Sequence, residues 1–114
     1  MDLKNRASST PPIEIRAALD SGAEYSLFDG ALAPLIGLDL FAGERFVFSF
    51  ANGLSLEARI FPVEVSHADL GSFNLPARFS TGPLRRNILG RDFFDLLLVG
   101  FDEHRSEVYL TTPR

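Results

Sequence analysis

Asp20-Ser21-Gly22-Ala23 follows directly on an apolar segment, and 70 positions after Asp20 comes Gly90 in Ile88-Leu89-Gly90-Arg91-Asp92, which leads into aromatic residues. Taken alone the first motif is a turn, because Asp, Ser and Gly collect in turns for reasons of backbone geometry. A carboxylate held at the end of a strand is also a candidate general acid or base. Other chemistries have little material. The chain has no Cys, so thiol nucleophiles, disulfides and cysteine-ligated metal are absent. His67 and His104 are its two histidines, 37 positions apart in turn-like contexts, which leaves neither a Ser-His-Asp triad nor a histidine-centred metal site well supplied.

Strands and turns must position these residues. Ile13, Ile15, Ala17 and Leu19 fall on one face of a strand that ends at Asp20. Leu27 to Leu38 reads as a short helix, capped by Asp29, interrupted by Pro34 and ended by Gly37. The segment Phe46 to Ala58 has two alternating arms around Asn52-Gly53, a pair suited to a two-residue type I′ hairpin turn. Its Phe46, Phe48 and Phe50 share a face, and period-two apolar faces exist to be buried, so at least two of the three read as core. Strands follow at about 59–65 and 73–79, pushed toward sheet edges by Pro62 and Pro76. A brief helix is expected at 93–98, opened by Arg91-Asp92 as a structural charge pair, and a closing hairpin is expected from 97–101 and 107–110. The resulting fold class is mainly β, a small closed barrel-like domain with one or two short helices.

The ordered pair of motifs, with a glycine-tipped hairpin between them, resembles the retropepsin-like aspartic proteases, and most of all their bacterial single-domain members. In that family a strand ends in Asp-Ser/Thr-Gly-Ala, a flap hairpin follows, and a hydrophobic-hydrophobic-Gly-Arg-Asp/Asn segment opens a short helix. The resemblance covers about residues 13–111. It implies an aspartic endopeptidase in which two carboxylates share one proton, one acting as base on a water while the other donates to the substrate carbonyl. This chain carries one Asp-Ser-Gly. The second carboxylate would then come from an identical subunit, with Asp20 against its own copy across a two-fold axis.

Further roles follow from the resemblance alone. Ser21 would bond across the axis, Gly22 would let the backbone approach substrate, and Ala23 and Glu24 would line the cleft floor. Glu24 would pair with Arg91 to lock the loop, and Ala51, Asn52 and Gly53 would form the flap tip over an extended polypeptide. No cofactor or metal is implied. The family's usual strand hairpin ahead of Ile13 has only the polar, proline-ended residues 1–12 to draw on, so those are set apart as an N-terminal segment from a domain at 13–114. The alternative reading is a non-catalytic relative that binds peptides or assembles through its cleft.

The bulk composition agrees with one small folded domain. Of 114 residues 46% are apolar and 23% charged, and eleven phenylalanines without Trp imply a Phe-built core. Eleven basic against fifteen acidic side chains give 11 − 15 = −4, a balance unsuited to nucleic acid or an anionic membrane surface. No apolar stretch reaches a bilayer's span and no leader-like apolar region follows the first charges, so a cytoplasmic location is expected.

Overall fold

The computed structural model describes the backbone of residues 1–104 and the side chains through residue 98. Its eight described strands form one sheet. They are β1 (Asp2–Asn5), β2 (Ile13–Glu14), β3 (Ala17–Leu19), β4 (Leu27–Asp29), β5 (Glu44–Ser49), β6 (Ser55–His67), β7 (Gly71–Ser80) and β8 (Asn87–Leu89). The order is β2-β1-β6-β7-β4-β8-β3, with β5 paired to β6 beside that path. Helix α1 (Arg91–His104) follows β8 directly.

The core lies where the long β6–β7 ribbon meets β1, β4, β8 and α1. Leu3, Phe28, Ile36, Val63, Val65, Phe79, Leu89 and Phe93 are fully buried there, and Phe28 packs on Phe79 with ring centroids 5.6 Å apart. Phe28, Phe79 and Phe93 thus anchor the core among the described residues. Pro62 and Pro76 face each other inside this ribbon instead of marking an edge. β6 pairs with β5 as far as Ile60 and with β1 from Val63, so Pro62 falls in the gap between two partners. Pro76 likewise precedes the stretch from Arg78 where β7 gains β4. Neither position needs an N–H for a second ladder, which is why proline is tolerated.

Several expectations are corrected. The N-terminal segment 1–12 is not separate from the sheet, because β1 pairs with β2 on one side and β6 on the other and buries Leu3 completely. Its polar residues hid a strand with two inward positions, Leu3 and the buried Asn5, whose Oδ1 accepts from Ala7 N at 2.8 Å. The strand expected at 13–20 is broken into β2 and β3. In place of a helix over 27–38 the chain makes β4 and then two 3-10 turns, Gly30–Leu32 and Pro34–Ile36. The end signals still act as expected: Asp29 accepts from Ala31 N and Gly37 closes the second turn. Residues 97–101 are helical as part of α1, not a hairpin strand, and 107–110 lie outside the described residues.

Candidate active site

The loop bearing Asp20-Ser21-Gly22 joins β3 to β4, yet those strands are not neighbours. β8 is inserted between them, parallel to β3 and antiparallel to β4, so the loop must arch over the end of β8, where Gly90 lies. The arch is pinned along its length: Asp20 N donates to Leu89 O at 2.9 Å, Arg91 N to Ala23 O at 2.8 Å, and Asp92 N to Glu24 O at 3.3 Å. A Cβ on Gly90 would sit 2.7 Å from the backbone of Ala23 and Tyr25, so the crossing requires glycine.

The lock behind the loop is Asp92 with Ser26, not Glu24 with Arg91. Ser26 N donates to both Asp92 oxygens at 3.0 Å, Ser26 Oγ donates to Asp92 Oδ1 at 2.6 Å, and Gly90 N donates to Ser26 Oγ at 3.0 Å. Ser26 is fully buried. The ion pairs among the described residues are Arg45–Glu57 and Arg59–Glu57, and the exposed Glu24 and Arg91 side chains do not reach each other. The arrangement has a physical advantage. A short carboxylate accepting three hydrogen bonds at a helix start fixes a backbone more tightly than an exposed ion pair would. Sequence reading placed Asp92 at the helix start but gave no sign of Ser26, since the contact joins residues 66 apart.

The front of the loop is open. Asp20 is half-buried, its Oδ1 accepts from Gly22 N at 2.9 Å, and Oδ2 has no protein partner among the described residues. Ser21 and Gly22 are exposed, and so is the apolar Leu19 just before the carboxylate, at 52%. Beside the loop the β5–β6 hairpin extends outward. Its tip is a three-residue loop, Ala51-Asn52-Gly53, in place of the expected two-residue turn: Phe50 N donates to Leu54 O and Gly53 N to Phe50 O. Gly53, at φ 85°, takes the left-handed position that such a turn demands. All three tip residues are exposed. At the base, Arg59 donates to Phe41 O and Gly43 O and pairs with Glu57 at 2.9 Å, tying the hairpin to the preceding turn.

Between loop and hairpin lies a cleft of about 480 Å³, walled by Tyr25, Leu27, Phe46, Phe48, Leu56 and Ile88 and reached by Ala23 and Glu24. Phe46 and Phe48 are half-buried and Phe50 is 51% exposed, so none of the stripe belongs to the core. Their face turns toward Tyr25, 5.4 Å from Phe46 and 6.2 Å from Phe48 between ring centroids. The described residues hold no cluster of three or more potential metal ligands. No described helix is long and apolar enough to cross a membrane.

No protein-family model and no curated protein matches the chain. Among solved structures it is similar to the EIAV protease complexed with the inhibitor HBY-793, at 21% identity and a TM-score of 0.56, over 75% of this chain and 77% of that one. The shared architecture is the retropepsin fold, mainly β, with its sheet curled into half a barrel.

Proposed function

We propose that this chain is a homodimeric aspartic endopeptidase that hydrolyses extended polypeptide through two Asp20 carboxylates, one from each subunit. The observation that carries the reading is the Asp20 loop itself: pinned from behind by Asp92 and Ser26, open in front at Oδ2, and flanked by an apolar cleft. Two such carboxylates brought together share a proton, because both cannot ionise cheaply at close range. The ionised one takes a proton from water as the water attacks the scissile carbonyl, and the protonated one donates to the carbonyl oxygen. Collapse of the tetrahedral intermediate then breaks the C–N bond, with a proton delivered to the leaving nitrogen.

The neighbouring residues take supporting roles. Ser21 and Gly22, exposed beside Asp20, face the partner's copy of the same loop. Ala23 and Glu24 border the bound polypeptide. Ala51, Asn52 and Gly53 close over it as a flap, excluding water and presenting backbone hydrogen-bonding groups. The exposed Leu19 becomes buried at the two-fold contact. The reading is tested by cleavage of an unfolded protein substrate from acidic to neutral pH. Wild type is expected to cleave it and Asp20→Asn to lose the activity; a variant that still cleaves overturns the assignment. Absence of cleavage in both, with a monomer in sedimentation, favours the peptide-binding relative instead.

A further inference from the structure

Arg78 is the one strongly buried cation among the described residues that lacks any ion pair. It lies on β7 between Ala77 and Phe79, both core residues, so its side chain leaves the opposite face of the sheet. It is 9% exposed, and its Nε has no acceptor. What holds it is aromatic: the guanidinium carbon lies 3.7 Å from the Tyr25 ring centroid and 4.3 Å from that of Phe46. Both rings belong to the wall of the cleft, and Phe46 in turn meets Phe48 edge to face at 4.9 Å. A buried cation without a counter-charge is costly, and a corner formed by two aromatic rings inclined at 74° to each other is an arrangement that tolerates it.

We infer that Arg78 is the specificity-determining positioning residue of this cleft. By clamping Tyr25 and Phe46 it fixes a slot that takes an aromatic side chain of a bound polypeptide, and its charge keeps basic side chains out. The inference rests on the reading above that an extended polypeptide occupies the cleft. An incoming ring meets ring edges and the apolar Leu27, Leu56 and Ile88, the geometry aromatic pairs favour. An incoming lysine approaches a like charge held behind the Tyr25 and Phe46 rings, where little water screens it, whereas the cleft's acidic residue, Glu24, is exposed and screened.

The test uses the Asp20→Asn protein, so that binding is read without turnover. Extended peptides carrying a single Phe, Ala or Lys, walked through each position, are titrated by calorimetry. At one position Phe is expected to bind about tenfold tighter than Ala, with Lys weakest. Adding Arg78→Met is expected to shrink the Phe-over-Lys ratio about tenfold. Adding Arg78→Lys is expected to restore the exclusion of Lys but not the Phe-over-Ala preference, because an ammonium has no planar face to lay against the Tyr25 and Phe46 rings. No Phe preference at any position, or an unchanged ratio in a folded Arg78→Met protein, overturns the inference. Should Arg78→Met not fold, Phe46→Leu removes one side of the clamp, and an undiminished Phe preference there overturns it equally. Proteolysis that survives Asp20→Asn defeats the protease reading and leaves these affinities standing; Asp20-dependent cleavage with no aromatic preference defeats the role of Arg78 alone.

Discussion

Asp92 accepts three hydrogen bonds from one buried serine, and Arg91 beside it points an exposed guanidinium into solvent. The two neighbours should therefore respond in opposite ways to truncation. Asp92→Ala strands the Ser26 donors and is expected to lower stability by about 2–3 kcal/mol, read from denaturant unfolding, and to reduce activity with it. Arg91→Ala is expected to stay within about 0.5 kcal/mol of wild type. A large loss at Arg91 would restore the ion pair with Glu24 as the lock. Gly90→Ala is a harsher change. Its methyl would press on backbone at 2.7 Å, so a loss of at least about 2 kcal/mol is expected in the same assay.

Elements were legible where their signals are local. The turn after β3, the Asn52-Gly53 hairpin and the Asp29 and Gly37 end signals all lie within a few residues of the structure they specify, and each is found close to its expected place. What could not be read was decided by distant partners. Leu27–Asp29 is a strand because β7 and β8 offer ladders on both sides, although its own sequence fits a helix. β1 has four residues and one fully buried side chain, too little for a periodic signal, yet it fills the place between β2 and β6. Leu3→Ala should accordingly cost about 2–5 kcal/mol by thermal or chemical unfolding, a penalty a loose N-terminal segment would not show. The phenylalanine stripe of β5 alternates as a core strand does. Alternation reports that a face is covered but not by what, and here the cover is the cleft with Tyr25. Substitution at the hairpin tip tests its proposed role as a flap: Gly53→Ala, at φ 85° with open space around its Cβ, should cost about 1 kcal/mol and slow turnover more than it alters folding.

At the scale of the whole molecule, the sequence carries a single Asp-Ser-Gly loop, and beside it the described residues form the aromatic-walled cleft and the β5–β6 hairpin. Half a site per chain is what the reading requires, so assembly and catalysis become one property. Activity should fall at both pH extremes. In acid both Asp20 carboxyls are protonated and no base remains, while in alkali both are ionised and no acid remains; a rate rising without a maximum from acid to alkaline pH would contradict a shared proton. The most direct measurement is a mixing experiment. Wild-type chain held at constant concentration is refolded with increasing Asp20→Asn chain, and cleavage of an unfolded substrate is followed. Random pairing of two subunits predicts that activity falls to roughly half at equal amounts and continues toward zero with excess variant. Activity unchanged by any amount of the inactive chain would contradict a site built from two copies of Asp20.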